Sequence, residues 1–326
     1  MSRAIVALGS AYFILVATCP VLAFDVSSVN DAEYGEGGVE GSPTEPSPLV
    51  LKLQILLDRR HFSPGVIDGQ WGGNTVHVLK EFEKHLNLTP DGRLDGEIWE
   101  ALSGSHPEAL VNYSLTKEDV EGPFVDNIPD DYAAMAQMER LSYTSVEEKL
   151  SEKFHIAVNL LRAMNPDARF DRPGQEILVP NVVDTAPEGE VKSIEVDKEN
   201  GVLRGFASSG EIMVVYPATI GSEDNPSPTG TMSVKGISKN PKYSYRPDKN
   251  FQQKGNDEPL TLPPGPNGPV GSIWIDLTKE TYGIHGTADP ELVGKTGSHG
   301  CVRLTNWDAK ELGEIVKFGT KVRFLD

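Results

Sequence analysis

Tyr282-Gly283-Ile284-His285-Gly286-Thr287 and, shortly after it, Gly297-Ser298-His299-Gly300-Cys301-Val302-Arg303-Leu304 decide how this chain is read. A thiol with an unperturbed pKa of about 8.5 needs a base beside it to form thiolate near neutral pH. Imidazole is the side chain matched to that task, and His285 and His299 both lie near Cys301 in sequence. The residues alone leave both as candidates. Glycines beside them let backbone approach a substrate closely, and Gly300 before Cys301 leaves successive N–H groups to face an oxyanion. On an extended segment Arg303 projects to the same side as Cys301, where it can lower the thiol pKa or hold a carboxylate. The competing readings are a buried structural thiol for Cys301, a hydrogen-bonding role for His299 and scaffold pairing for Arg303. The Gly-Cys-x-Arg setting argues against the first.

Outward from these stretches the pattern is one of strands. Ser193 to Asp197 alternates, Asn200-Gly201 is a hairpin signal, and Val202 to Phe206 follows. Ile212 to Tyr216 reads as a buried strand, Pro228 to Val234 as a turn feeding another, and Val270 to Leu277 as one more. Short strands with Gly and Pro turns imply a β-sandwich or barrel. One late helix is expected, capped by Thr305 or Asn306, with Trp307, Leu312, Ile315 and Val316 on its apolar face and Gly319 at its end.

His285-Gly286-Thr287 followed by Ser298-His299-Gly300-Cys301-Val302-Arg303-Leu304 resembles the catalytic signature of the L,D-transpeptidase family. The likeness extends through Pro263 to Asn267, Trp274 to Leu277 and Thr305 to Ala309, covering about Val191 to the C-terminus. It implies that Cys301 is the nucleophile, that His285 is the general base and acid, and that the Gly286 carbonyl orients its imidazole. Ser298, His299 and Gly300 match the segment that shapes the thiol pocket, with the N–H groups of Gly300 and Cys301 as oxyanion donors. Arg303, Tyr282 and Trp274 are the candidate substrate-binding residues. The implied reaction is acyl transfer on peptidoglycan: a stem tetrapeptide loses D-Ala to form a thioester, and a diamino-acid side-chain amine resolves it into a 3→3 cross-link. Family members typically react with carbapenems at this cysteine. Water, a free D-amino acid or the C-terminal Lys of a lipoprotein are alternative acceptors, and a non-catalytic wall-binding protein is the alternative outside catalysis. No metal or organic cofactor is required, and His61, His77, His85, His106 and His155 show no spacing such as H-x-x-x-H.

The preceding half is divided by composition. Residues 49–106 read as a small helical module, with Leu49, Leu53 and Leu56, then Val76, Leu79, Phe82 and Leu86, at helical spacing. Asn74 or Thr75 is placed to cap its second helix, and Asp-Gly turns precede a short helix bearing Trp99. The module resembles the three-helix peptidoglycan-binding domain. Residues 113–182 hold two helical patterns, one starting with Tyr143 to Leu150 and continuing through Phe154 and one stopped by Pro166, then a turn into Ile177-Leu178-Val179. They resemble a LysM glycan-binding domain, with a first strand near Tyr113 to Leu115 and an insertion of roughly two dozen residues, longer than loop norms. A structural linker domain is the equal alternative. Residues 24–48, rich in Gly, Pro and acids, read as a flexible linker.

Arg3, the apolar run from Ala4 to Val16 and Val21-Leu22-Ala23 read as a signal peptide over residues 1–23, cleaved before Phe24. An uncleaved anchor and lipidation at Cys19 are the rivals. Cleavage makes the mature chain periplasmic or secreted and leaves Cys301 as its single thiol in an oxidising compartment, a liability unless buried or used. The net charge of −18 is uneven: from Glu190 onward 16 Lys and Arg face 18 Asp and Glu, against 14 and 30 before it. Such a surface repels nucleic acid and gives no general attraction to acidic polymers, so an anionic substrate must meet local cations. The expected architecture is therefore an all-α wall-binding module, an α+β LysM-like middle at 113–182 and a mainly-β catalytic domain at 190–326.

Overall fold

The computed structural model describes residues 24–35, 42, 44–104, 108–183, 185–222, 225–249, 251–253, 255–298 and 300–325. The signal-peptide reading, Cys19, His106 and His299 fall outside the described residues.

Helix α1 (Val26–Asn30) precedes the helical module of α2 (Pro48–Asp58), α3 (Gly73–His85) and α4 (Gly96–Ser103). Ser47 accepts from the N–H of Val50 to cap α2, with Pro48 at its first turn, and Asp95 does the same for α4 through Ile98. The cap expected at Asn74 or Thr75 is instead Gly72, and both residues lie inside α3 with other partners. Asn74 Nδ2 donates to the Val293 carbonyl at 3.0 Å, and Thr75 Oγ1 accepts from Gln54 Nε2 at 3.1 Å. The linker reading of 24–48 needs correction where residues are described. Phe24 and Val29 are buried against the middle module, Asn30 bonds both backbone groups of Leu110, and Glu33 accepts from the Trp99 indole. Tyr34 also packs on the helical module's core, and Lys52 donates to the carbonyls of Asn30 and Ala32.

The middle module opens with β1 (Leu110–Ser114), followed by α5 (Lys117–Glu121), α6 (Tyr132–Met135), α7 (Val146–Lys153), α8 (Val158–Met164) and β2 (Glu176–Pro180). β1 and β2 pair antiparallel, Tyr113 opposite Ile177, so the first strand lies slightly before its expected place. Asn165 closes α8 by donating to the carbonyls of Leu161 and Leu178. The inserted segment is not a bare loop: α5 carries a capping box between Thr116 and Asp119, and α6 is capped by Asp131.

The C-terminal part contains β3 (Ser193–Asp197), β4 (Val202–Phe206), β5 (Ile212–Pro217), β6 (Thr219–Ile220), β7 (Gly230–Lys239), β8 (Tyr243–Tyr245) and β9 (Leu260–Leu262). It continues through β10 (Ile273–Leu277), β11 (Gly283–His285), β12 (Val302–Arg303), α9 (Asn306–Ile315) and β13 (Lys321–Leu325). Nine of these strands form one mixed sheet in the order β5-β4-β3-β13-β7-β10-β11-β12-β6. Its two ends, β5 and β6, are consecutive in the chain with Ala218 alone between them, so the sheet curls until its edges nearly meet. The core inside it joins Ile194, Leu203, Tyr216, Ile275, Ile284, Val302 and Phe324 to Ala309, Leu312 and Ile315 of α9. Thr305 caps α9 as expected, but the helix stops at Ile315. Val316 turns extended to stay in the core, and Gly319, at φ +90°, serves the turn into β13.

The modules share surfaces. Val202 and Val215 of the sheet are packed into the helical module's core with Leu57 and Phe82. His61 to Ser63 lie along β5, exchanging backbone bonds with Val215 and so covering a sheet edge. Arg204 on β4 makes a buried two-pronged ion pair with Glu81 of α3, at 2.6 and 2.8 Å, and a third contact with Asp197.

Candidate active site

β11 and β12 run parallel, with Ile284 opposite Val302 and His285 opposite Arg303. Ile284 and Val302 are fully buried in the core. The alternation of strand side chains therefore turns Gly283, His285, Cys301 and Arg303 to the other face. On the antiparallel neighbour β10, Trp274 stands opposite His285, and their rings stack with centroids 5.6 Å apart. The indole also covers Gly283, where a Cβ would come within 2.5 Å of a ring carbon. Glycine is required there by close approach.

His285 and Cys301 face one cavity of about 300 Å³, which Trp274, Tyr282 and Arg303 also line. The His285 Nδ1 lies 2.6 Å from the carbonyl oxygen of Gly286. A carbonyl only accepts, so the neutral ring carries its proton on Nδ1 and leaves Nε2 basic. Gly286 has no room for a side chain, since a Cβ would meet Asn306 Oδ1 at 2.1 Å. Asn306 accepts from the Ser272 N–H and donates to Glu152, so the wall behind the imidazole is tied to the middle module.

Burial is the strongest electrostatic influence on the pair. It pushes the His285 pKa down to about 4, with Arg303 acting in the same direction and the Gly286 carbonyl opposing it. Burial also pushes the Cys301 thiol up, although the N–H of Gly283 and the charge of Arg303 favour thiolate. The sulfur lies 3.6 Å from the Thr281 carbonyl. Both shifts favour the neutral forms, thiol at Cys301 and imidazole at His285, over an ion pair.

Ser298 is buried and is not among the residues that line the cavity. It donates to the Cys301 carbonyl at 2.6 Å and accepts from the N–H groups of Gly221 and Gly300. Its place is that of a clasp between the Cys301 loop and the end of β6. The same contact engages the Gly300 N–H, so in this arrangement it does not stand ready as an oxyanion donor. Gly300 is at φ +103°, its carbonyl accepts from Ser227, and a Cβ there would crowd Tyr282.

Several cavity residues escaped the sequence reading, notably Tyr243, Lys249, Phe251 and Tyr132. The first three belong to β8 and its connection to β9. Lys249 is paired with Glu280 at 2.6 Å. Tyr132 comes from α6 of the middle module, and no local pattern could have placed it here.

Residues 191–323 match the L,D-transpeptidase catalytic domain family (YkuD), and residues 46–102 match a peptidoglycan binding domain family. A protein of Bacillus licheniformis named L,D-transpeptidase YkuD is 28% identical over 179 residues, spanning 54% of this chain and 90% of its own. The probable L,D-transpeptidase YbiS of Escherichia coli is 31% identical over 187 residues, 55% of this chain and 60% of its own. A solved L,D-transpeptidase from Mycobacterium smegmatis is 18% identical, with a TM-score of 0.35 over 47% of this chain and 64% of that one.

Proposed function

With a catalytic domain of the L,D-transpeptidase family at residues 191–323 and a peptidoglycan-binding domain at 46–102, we propose that this peptidoglycan transpeptidase works through a Cys301 thioester. The observation that carries the reading is the shared cavity of Cys301 and His285, with Nδ1 of the imidazole fixed on the Gly286 carbonyl.

Because the resting pair is neutral, the thiol proton passes to His285 Nε2 as the sulfur attacks, not beforehand. The attacked group is the carbonyl of the third residue of a tetrapeptide stem. The tetrahedral intermediate collapses with cleavage of the bond to D-Ala, whose amine takes the proton back from His285. An acyl–sulfur bond remains, and it conserves acyl reactivity without ATP. The side-chain amine of a second stem then attacks, gives its proton to His285, and expels the Cys301 thiolate, which is reprotonated. The product is a 3→3 cross-link. Gly300's N–H is held by Ser298, so the Cys301 N–H is the donor assigned to the oxyanion. Arg303 provides the cation for a stem carboxylate.

The helical module and the two-helix, two-strand middle are assigned to holding the protein on wall polymer, raising the local concentration of stems. Export follows from that substrate and from the leader read at residues 1–23. No helix among the described residues is long and apolar enough to cross a membrane.

The decisive test treats purified wall with the protein and its Cys301→Ala variant and resolves the muropeptides by mass spectrometry. A new dimer lacking one D-Ala, made only by the parent protein, is the expected result. A tripeptide monomer makes water the acceptor, a muropeptide bearing a lysine-terminated lipoprotein fragment makes it an attachment enzyme, and identical profiles end the enzymatic reading.

A further inference from the structure

Tyr132 lies far outside the segment that matches the catalytic family, yet its ring lines the Cys301 cavity. It stands at the start of α6, and it is held there by its surroundings on all sides. Its N–H donates to Gln253 Oε1, Gln253 Nε2 donates to the Asp130 carbonyl, and Asn256 Nδ2 donates to Asp131, each at 2.8 Å. Its ring meets Tyr243, Tyr245 and Phe251 edge-on at 5.2–5.9 Å. Leu141, Tyr245 and Leu262 form a small separate core with Ile128, Met135 and Met138 around it. Below, Leu141 exchanges backbone bonds with Pro264 and Asn267, and Gly265 packs so tightly that a Cβ would overlap the Leu141 carbonyl. The β8–β9 hairpin over the cavity is thus pinned by the middle module, and does not hang free as a flap.

The chemistry of this corner is specific. Arg303 brings positive charge to a cavity with several aromatic rings in its wall, while the Lys249 charge at its edge is paired with Glu280. Burial holds the Tyr132 hydroxyl protonated, its pKa raised to about 12, while Arg303 is near enough to pull it the other way. A protonated phenol and a guanidinium lining one cavity are both donors that a single anion there can engage.

We propose that Tyr132, supplied by the middle module, contacts the C-terminal carboxylate of the stem peptide beside Arg303 and so takes part in selecting the donor stem. This rests on the stem-peptide reading of the cavity. It makes the inserted segment a working wall of the active site, where the modular reading treats everything before residue 190 as an anchor.

The test uses the full chain with Cys301→Ala, so that binding is read without turnover, and titrates it calorimetrically with a disaccharide tetrapeptide and with the same stem amidated at its C-terminus. Adding Tyr132→Phe, which keeps the ring and removes the hydroxyl, is expected to weaken tetrapeptide binding roughly 10- to 150-fold, the scale of one hydrogen bond to a charged group. The amidated stem should bind the two proteins almost equally, and the melting temperature should not move. Tyr132→Ala should weaken both stems. Equal tetrapeptide affinity with and without the hydroxyl overturns the assignment while leaving the cavity's function intact. Loss of affinity for both stems by Tyr132→Phe, in step with a lower melting temperature, overturns it in favour of packing alone. Failure of the parent Cys301→Ala protein to bind any stem overturns the stem-peptide reading itself, and this proposal with it.

Discussion

Nδ1 of His285 stands 2.6 Å from the carbonyl oxygen of Gly286, the next residue in the chain, so the ring's tautomer is set by its own backbone neighbour. Among the described residues no carboxylate shares that contact, and none there offsets burial with a buried counter-charge. That is why the imidazole is driven down to about 4 and the thiol upward. In the protein without substrate, alkylation of Cys301 by iodoacetamide, followed by mass, should be slow at pH 7. Its rate should climb about tenfold per pH unit to beyond pH 8.5, as thiolate forms. Because His285 loses its proton only through about pH 4, no inflection should appear near pH 6.5. A rate that is already flat from pH 5 upward would show a preformed thiolate–imidazolium pair and contradict the neutral site.

The Gly286 contact also fixes a steric prediction. A Cβ at Gly286 meets Asn306 Oδ1 at 2.1 Å, and Asn306 cannot yield without releasing Ser272 and Glu152. Gly286→Ala should therefore displace the carbonyl that orients His285. Misplacement on the order of 1 Å costs about a hundredfold in rate, and that is the loss of turnover expected here. The folded protein and its alkylation by iodoacetamide should largely survive. Normal turnover by Gly286→Ala would mean that the carbonyl contact is dispensable.

The chemistry of the site was legible because it is local. His285, Gly286, Cys301 and Arg303 fall in two short stretches, and strand alternation alone predicts that Cys301 and Arg303 share a face. The strand and hairpin at Ser193 to Phe206 were legible for the same reason, since Asn200-Gly201 and period-two burial need no distant partner. What the sequence hid depends on contacts across modules. Tyr132 and Leu141 read as part of an overlong insertion because their partners, Tyr245 and Leu262, lie more than a hundred positions away. Phe24 and Val29 read as linker because one acidic, glycine-rich stretch diluted both. Gly300 shows a subtler limit of local reading: a glycine before the cysteine leaves its N–H sterically open, but the Ser298 hydroxyl two residues back accepts from it in this structure.

Arg204 and Glu81 yield a stability prediction. Breaking a buried ion pair by removing one partner leaves an uncompensated charge, at a cost of about 3–5 kcal/mol. Arg204→Ala should lower chemical stability toward the lower end of that range, because the buried Glu81 loses its two-pronged partner but keeps Lys84, while Asp197 keeps Asn200. The pKa values of Glu81 and Asp197 are lowered in the folded protein; burial is the largest single influence and opposes the shift, but Arg204, together with Lys84 at Glu81 and Asn200 at Asp197, outweighs it. Their stabilisation is thus full above the ordinary carboxylate pKa of about 4 and is lost as pH falls through the depressed values. Denaturant titrations at pH 3 and pH 7 should show a smaller difference in Arg204→Ala than in the parent. An equal difference would remove the pair from the acid sensitivity.

Glu152 should act in the opposite sense. Burial raises its pKa to about 7, against the bonds it accepts from Asn306 and Tyr143 and with help from the charge of Glu148. The folded state therefore holds a proton that the unfolded chain releases near pH 4.3, and stability declines as pH rises from there to about 7. Glu152→Gln cannot ionise but retains a bond to Asn306. Its melting temperature should change less than the parent's between pH 5 and 7.5, and it should be the more stable protein at the upper end. A parallel pair of curves would place the titration elsewhere.

The last prediction concerns the whole N-terminal part. If residues 24–182 only tether the enzyme, their deletion should reduce action on intact wall and spare soluble muropeptides, because tethering acts through local concentration. The contacts argue otherwise. Deletion uncovers Val202 and Val215, strips the edge of β5, and strands Arg204 without Glu81. It also removes Glu152 from Asn306, behind the imidazole, and takes away Glu148 from Asn267 and Tyr132 from the cavity. Losses of this kind fall on every substrate alike. Turnover of a soluble disaccharide tetrapeptide should drop at least about tenfold, the factor that 1.4 kcal/mol of lost stabilisation represents, and the truncated chain should melt at a lower temperature. A truncated protein with full soluble activity would show that the catalytic sheet is self-sufficient and that the docked modules serve only to anchor it.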